Sequence, residues 1–472
     1  TNCFMKFFFM LLVALTASSL ARAQSTFTAY IRDNKTKEPL TGATVAVEGT
    51  RLGAVADADG LVVIADIPEG PQVLTYRFLG FVAHSDTLTF PRPAADTLII
   101  LLEEDEDEEL EEITVSSTRS SRSIADQPTR LEFIAGEELD EKANMKPGDI
   151  RMLLNESTGI QTQQTSATTA NASIRIQGLD GRYTQILKDG FPLYSGVASG
   201  LGLLQTPPLD LKQVEVIKGA ASTLYGGGAI AGLVNLISKT PGEERELRFH
   251  LNGTSARGLD LNGFFGQRFG KVGVTVFASR NSNAPYDPAD IGLTAIPKFT
   301  RYVLNPRLFL YPSQKTSLYI GFNSAVEDRT GGDMRYVRGE DGGANGYFER
   351  NETQRYSTQA ALEHRPNTTT RLILKNSYGY FNRIITTPGY RFDGAQHSTF
   401  TEATYAKAGE RLEWIGGLNA WTDFFDEVAQ TAFPQRDYRQ TTLGGFVQNT
   451  WNATEKLALE TGLRADHVLD YG

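Results

Sequence analysis

Three residues in the stretch VEVIKGAASTLYGGGAIAGLVNLISKTP have the spacing of a phosphate-binding turn. Gly226, Gly228 and Ala231 satisfy G-x-G-x-x-G/A, in which glycines let the backbone approach a pyrophosphate. That chemistry requires the glycines to lie directly between a strand and a helix. Here GAASTLY separates the strand-like VEVIK from Gly226, and a second strand-like run, LVNLIS, follows. The context therefore favours glycines that permit tight backbone packing and disfavours a nucleotide site.

Other residue types that perform catalysis do not occur in catalytic patterns. The histidines are scattered and form no H-x-x-x-H or H-E-x-x-H pair, and no G-x-S-x-G is present. Carboxylate pairs such as Asp423 and Asp426 fall in predicted loops, where solvation explains them. The sequence thus predicts no enzyme, no catalytic residue, no metal site and no cofactor.

Composition restricts the class of protein. The 472 residues include 45 Gly, 18 Tyr and 26 Phe, with 40% apolar and 22% charged residues and a net charge of −10. Abundant glycine and aromatic residues are typical of many short strands and turns, either in water or in an outer membrane. The acidic balance argues against nucleic acid as a partner, because phosphate contacts need a basic face. We expect a mainly β protein.

The first residues have the form of an export signal. Met5 and Lys6 precede an apolar run over residues 7–15, and Ala21-Arg22-Ala23 provides a small-x-small cleavage site. We interpret residues 1–23 as a signal peptide. The single cysteine, Cys3, lies within it, so the mature chain has no thiol chemistry. With no later stretch of about 20 apolar residues, the expected destinations are the periplasm, the medium or an outer membrane.

Residues 24–102 predict a small β domain. Apolar runs at residues 44–47, 61–64 and 73–78 alternate with turns such as Asp57-Ala58-Asp59-Gly60. The D-x-D-G sequence is too short an acidic series for an EF-hand and predicts a hairpin turn instead. The order PLTGATVAVEGT, GAVADADGLVVIADIPEG and LTYRFLGF resembles the carboxypeptidase regulatory-like β-sandwich, which implies a binding or spacer module.

A dense acidic run, EEDEDEELEE, opens the segment 103–122 and predicts an extended linker, with a solvated helix face as the alternative. A short β-prone island follows. Such an isolated strand has no neighbour of its own but can add to the edge of a partner's sheet. Ordinary linker remains the other interpretation. The island comprises Ile113, Thr114, Val115, Ser116 and Ser117.

Alternating patterns predict strands at residues 173–177, 184–188, 213–218 and 233–238, and a short helix at residues 146–154. The motifs ITVSST, NASIRIQGLDGRYTQILKDGFPL and PPLDLKQVEVIKGAASTLYGGGAIAGLVNLISKTP occur in that order. Together they resemble the plug domain of TonB-dependent outer-membrane receptors, which implies an α+β plug over residues 123–241. The matching plug-motif residues are Gly178, Asp189, Gly190, Gly219, Tyr225 and Gly226.

The resemblance also implies functional roles. Residues 113–117 match the TonB box, the segment that pairs with TonB. Arg175 and Lys218 occupy plug positions that pair with acidic residues of the barrel wall, with partners expected mostly beyond Gly472. The candidates for ligand contact lie in apical plug loops; they are Arg182, Tyr183 and Tyr194.

A barrel is expected to follow the plug, because strands in lipid must satisfy every backbone group internally. Residues 242–472 contain roughly eleven alternating segments of the kind that a transmembrane β-barrel requires. Plugged transporters have about 22 strands, so we expect the N-terminal half of an antiparallel barrel. The longer polar inserts, residues 281–300, 327–353 and 423–437, are expected to be extracellular loops.

The resemblance implies energised import without hydrolysis by this chain. The expected partners are TonB with its inner-membrane energising complex, outer-membrane lipid and an extracellular ligand such as a metal chelate. A ferric siderophore is the first expectation for the cargo, with cobalamin, haem or oligosaccharide as alternatives. The other function classes are a passive porin or structural adhesin, for which plug motifs and a TonB box are unnecessary, and the disfavoured nucleotide-binding enzyme.

Overall fold

The computed structural model describes residues 25–50, 52–78, 81–92, 97–103, 119, 131–193, 202–340, 346–409, 411–428, 434–454 and 457–470. The predicted signal peptide and the island at residues 113–117 lie outside these ranges. Contacts divide the chain into two compact units, Thr1–Ile113 and Thr114–Gly472, which we describe separately.

The N-terminal unit contains two small sheets. One has the strand order β4-β1-β7 and the other β3-β2-β5-β6, with β1 and β7 parallel and the remaining pairs antiparallel. Their bounds are β1 Ser25–Asp33, β2 Thr44–Val47, β3 Gly53–Val55, β4 Leu61–Ile67, β5 Gly70–Arg77, β6 His84–Phe90 and β7 Thr97–Leu102.

The two sheets share one apolar core, so the predicted β-sandwich is confirmed. Phe27 of β1 packs against Tyr76 and Phe90 of the opposite sheet, with ring centroids 6.3 and 6.4 Å apart. Strand β1 alternates buried and more exposed positions, as expected for a strand with one face in the core. The Asp57 carboxylate accepts the amides of Asp59 and Leu61, which is a hairpin-turn role.

The second unit begins with the plug. Its central sheet has the order β12-β11-β14-β13-β8, in which β11 and β14 are parallel, and a hairpin of β9 and β10 lies beside it. The bounds are β8 Leu131–Ala135, α1 Gly136–Met145, α2 Arg151–Asn155, β9 Ile160–Gln164, β10 Ala172–Ile176, β11 Thr184–Lys188, β12 Phe191–Pro192, β13 Leu211–Lys218, α3 Ser222–Tyr225 and β14 Gly232–Ser238.

The helix predicted over residues 146–154 forms only from Arg151, and an additional helix, α1, precedes it. Pro147 and Gly148 lie in a turn between the two helices. Proline lacks an amide hydrogen and glycine is a poor helix former, so the chain turns here although the apolar spacing continues. The four predicted plug strands are present with ends shifted by at most two residues.

The glycine stretch that has nucleotide-like spacing joins two neighbouring antiparallel strands, β13 and β14. Its chain passes through the single-turn helix α3 and a 3-10 turn, Gly227–Ala229, and enters β14 at Gly232. Gly232 has φ +150°, and a Cβ there would overlap the carbonyl oxygen of Ile217. Glycine at this position therefore permits close backbone packing in the plug core, as the sequence predicts.

The remaining chain forms one antiparallel sheet whose eleven strands follow chain order, as in a transmembrane barrel wall. The bounds are β15 Glu246–Gly253, β16 Gly258–Phe269, β17 Val272–Asn283, β18 Lys298–Ser313, β19 Thr316–Gly332, β20 Phe348–Asn367, β21 Thr370–Thr387, β22 Tyr390–Ala408, β23 Leu412–Glu427, β24 Tyr438–Thr454 and β25 Leu457–Val468. Short helix α4, Met334–Arg338, lies between β19 and β20.

At one end of this sheet, the connections between strands have two or three residues; we call it the tight-turn end. At the other end, the loop end, the longest connection has 15 residues. The predicted extracellular inserts lie at the loop end, but strands occupy part of each. Strand β20, for example, has 20 residues, while about 9–11 suffice to cross a bilayer. Among the described residues, no helix has the length and apolar character needed to span a membrane.

The two faces of the sheet differ in chemistry. In β19, Ile320, Phe322 and Val326 point outward and are exposed, whereas Glu327 and Arg329 point inward and are buried. The period of two carries this contrast along each strand. An apolar outer face suits lipid, and a polar inner face surrounds the plug.

The glycine stretch supplies a matched test of packing. Replacing Gly232 with Ala is expected to destabilise the plug by about 3 kcal/mol, because the new methyl group meets the Ile217 carbonyl at an unfavourable φ. Gly227→Ala is the control, since a Cβ at Gly227 meets no atom within 4 Å. Native-state hydrogen exchange of β13 and β14 amides in the folded protein measures the difference. Equal protection in both variants would contradict the packing role.

Candidate functional site

The two cations predicted to pair with the barrel wall lie in different surroundings. Lys218 donates to the carboxylate of Glu132 and to the carbonyl of Thr158, both within the plug. Arg175 is half-buried, and within the described part of the chain its Nε has no hydrogen-bond partner. Pairing of either residue with a barrel carboxylate stays a prediction.

The plug motif Asp189-Gly190 forms a contact with the barrel that the sequence interpretation missed. Both residues have positive φ, +54° and +74°, in the tight turn between β11 and β12. The Asp189 carboxylate accepts the amide and hydroxyl of Ser238 at 2.8 and 3.1 Å. It also forms a 2.7 Å ion pair with Arg307 of β18. Asp189 thus joins two plug segments to the wall.

A second buried carboxylate lies beside this turn. Asp210 pairs with Lys188 at 2.7 Å and accepts a hydrogen bond from Asn305 of β18 at 3.1 Å. Burial alone raises the pKa of Asp210, but Lys188 and Arg307 outweigh it and hold the pKa below its ordinary value. The carboxylate is therefore ionised and bridges plug and wall.

Arg119 connects the start of the plug to the wall, two residues after the predicted TonB box. Its guanidinium donates to the Glu402 carboxylate of β22 and to the Leu224 carbonyl, both at 2.6 Å. It also lies over the ring of Tyr225, 4.3 Å from the centroid, and over Phe446 of β24 at 4.6 Å. Tyr225, a plug-motif residue, thus helps to hold Arg119.

Nearer the loop end, buried barrel arginines bind plug carbonyls. Arg301 donates to the carbonyls of Leu204 and Gly148, and its side chain is almost completely buried. Arg329 donates to Thr169 at 3.3 Å, and Glu327 lies between the two guanidinium groups. A single carboxylate thereby orients two cations toward the plug backbone.

The plug loop at residues 165–170 is held at the loop end of the sheet. The carboxylate of Glu349 in β20 accepts hydrogen bonds from the hydroxyls of Ser166, Thr168 and Thr169 at 3.0–3.3 Å. A Cβ at Gly331 of β19 would overlap the carbonyl of Thr168, so the loop packs directly on the strand backbone. The sequence interpretation did not select this loop.

A cavity of about 580 Å³ lies between the plug and the inner wall formed by β18–β25. Arg182, one of the predicted ligand contacts, lines it, as do the plug-motif residues Tyr225 and Gly226. Tyr183 is partly exposed and does not line the cavity. Tyr194 lies outside the described residues. Gly178 and Gly219 have positive φ, +80° and +144°, and serve turns.

The missed residues share one sequence signal. Arg301, Arg307 and Glu402 occupy inward positions of β18 and β22, strands whose side chains alternate between buried and more exposed positions. A charge at an inward position of a plugged barrel contacts water, the plug or another inward side chain of the wall. Sequence alternation identifies such charges but not their partners, because the partners lie up to 283 residues away.

Comparison with known proteins places these features in a family. Residues 123–233 match the family model described as TonB-dependent Receptor Plug Domain, and residues 28–115 match the CarboxypepD_reg-like domain. The chain is 22% identical over 390 residues to the iron-regulated outer membrane virulence protein of Vibrio cholerae, covering 77% of this chain and 55% of that protein. The chain therefore spans about half the length of this relative.

Two further proteins are similar to this chain, one in the sequence of a shorter region and one in fold. The ferrioxamine receptor of Yersinia enterocolitica is 26% identical over 226 residues, 46% of this chain and 29% of that protein. The alcaligin receptor FauA of Bordetella pertussis has a similar fold, with a TM-score of 0.59 at 16% identity, over 74% of this chain and 57% of that one. The chain therefore combines a domain that matches the TonB-dependent receptor plug with an N-terminal domain that matches the carboxypeptidase regulatory-like family.

Proposed function

We propose that the full-length protein is an outer-membrane transporter that imports a ferric chelate, using proton-motive force relayed by TonB. The observation that carries the proposal is a plug held against a polar wall by ion pairs and hydrogen bonds, Asp189 with Arg307 and Arg119 with Glu402 among them. Such contacts fix a resting position, and water can replace them when the plug moves. Support for a ferric chelate comes from relatives named for iron regulation and for ferrioxamine.

In this proposal, residues 113–117 are the TonB box and Arg119 is the nearest anchor behind it. Extended backbone suits the pairing, because main-chain hydrogen bonds tolerate varied side chains while transmitting tension. A pull on residues 113–117 reaches the Arg119–Glu402 pair first among the described contacts of the plug with the barrel. Its breakage loosens Leu224 and Tyr225, which adjoin the glycine turn at the cavity.

Deleting residues 113–117 in the full-length receptor is expected to abolish uptake while chelate binding stays intact. The reason is that the segment serves coupling and not recognition. Uptake of radioactive iron by cells on a ferric chelate measures the first quantity, and equilibrium binding to purified receptor measures the second. Replacing the same segment with another β-prone pentapeptide is the control. Normal uptake by the deletion would refute TonB-driven import.

The ion pair between Asp189 and the buried Arg307 can be compared with the exposed ion pair between Asp140 and Arg248. Asp189→Asn is expected to destabilise plug docking by about 3 kcal/mol, because the Arg307 guanidinium stays buried without its counter-charge. Asp140→Asn removes the exposed pair with Arg248 and is expected to cost less than about 1 kcal/mol. Urea unfolding of full-length receptor, followed by a fluorescent label on the plug, measures both changes.

Adding Arg307→Met to Asp189→Asn is expected to restore part of the lost stability, because the uncompensated charge is then removed. A double variant as unstable as the sum of its single changes would contradict a direct ion-pair role. Comparing the unfolding free energies of the double and single variants separates the pairing of the two side chains from the packing of each one.

A further inference from the structure

About half of the residues that line the cavity between plug and wall have uncharged polar side chains. Amide groups come from the plug and from several barrel strands; they are Gln185, Gln359, Gln396 and Gln440. Hydroxyl-bearing residues such as Thr184 and Ser377 lie among them. Amide and hydroxyl groups both donate and accept hydrogen bonds, so they suit a ligand with mixed donors and acceptors.

The charged side chains of the cavity are already balanced within the protein. Lys188 pairs with Asp210 at 2.7 Å, Arg464 with Asp466 at 2.7 Å and Arg182 with Asp180 at 3.2 Å. Asp423 accepts a 2.7 Å hydrogen bond from Gln396, while Arg355 lies 4.3 Å from the centre of the Phe381 ring. Three of the four described cations that line the cavity thus have an acid partner, and with Asp423 also on the wall the formal charges of these four cations and four acids sum to zero.

Several buried polar atoms on the cavity wall have no hydrogen-bond partner in the part of the chain that the structure describes. Gln359 is 3% exposed, and its side-chain oxygen accepts no hydrogen bond from the described residues; the same holds for the Thr184 hydroxyl, whose residue is 8% exposed. The Trp421 indole N–H and the Asn323 side-chain oxygen are likewise unpartnered. Buried polar groups are stabilised when a ligand supplies their hydrogen bonds.

We infer that this cavity receives an uncharged ferric chelate rich in amide and hydroxamate groups and discriminates against polyanionic chelates. The inference rests on the proposed function and specifies its substrate class. Carbonyl and hydroxamate oxygens match the indole and amide donors, and peptide N–H groups match the free acceptors. A polyanionic tricatecholate loses its hydration here at a wall whose cations mostly have acid partners already, which is unfavourable.

The test is calorimetric titration of purified full-length receptor with ferrichrome, a neutral trihydroxamate, and with ferric enterobactin, an anionic tricatecholate. We expect ferrichrome to bind at least about tenfold more tightly, which corresponds to about 1.4 kcal/mol. Tighter binding of ferric enterobactin would overturn the inference while leaving ferric-chelate import in place. Binding of cyanocobalamin alone, or of none of these probes, would overturn both the inference and the proposed cargo.

Variants locate the effect in the cavity. Gln359→Leu is expected to weaken ferrichrome binding about tenfold, through loss of one hydrogen bond to the ligand. Gln354→Leu, on the outward face of the same strand, is the matched control and is expected to leave affinity unchanged. Gln359→Lys adds a cation without an acid partner. This variant is expected to reduce the preference for ferrichrome over ferric enterobactin about tenfold. An unchanged preference in Gln359→Lys, with the thermal unfolding temperature preserved, would refute selection by charge at this wall.

Discussion

The structure of the second unit depends on the requirement that strands facing lipid satisfy all their backbone hydrogen bonds with neighbouring strands. The eleven-stranded sheet meets that requirement between its strands, and its period of two then sends apolar and polar side chains to opposite faces. Outward Phe322 and inward Glu327 of one strand illustrate the result. A polar lumen is therefore a consequence of a lipid-facing wall. Any domain inside that lumen needs polar groups on its outer surface.

The plug satisfies this condition with charges of both signs. Asp189 faces Arg307, whereas Arg119 faces Glu402, so the anchors alternate in polarity instead of placing all cations on the plug. Removing one partner of such a buried pair is costly, yet the intact pair contributes little net stability because both ions lose hydration. An interface of this kind gives a defined position without the strong adhesion of an apolar core. That balance suits the displacement of the plug that the proposed import requires.

The interior of the plug is held differently. Its sheet packs an apolar core that includes Ile174, Val216 and Leu236, and Gly232 permits the close approach of β14 to β13. In the proposed mechanism, rigid internal packing and polar outer contacts would let tension applied near Arg119 reach the cavity wall through α3 and the glycine turn. The N-terminal β-sandwich has an independent core and is a separate unit.

Much of the fold follows from sequence patterns, because local alternation and turn chemistry are encoded in adjacent residues. Strands β11, β13 and β14, the eleven barrel segments and the packing role of the glycines are all predicted that way. Apolar spacing predicts a helix across Pro147 and Gly148, but the chain turns there because these two residues disfavour a helix. The partners of charged residues were decided only by tertiary structure. Asp189 and Arg307, or Arg119 and Glu402, are far apart in the chain, and only the seating of the plug in the lumen brings each pair together.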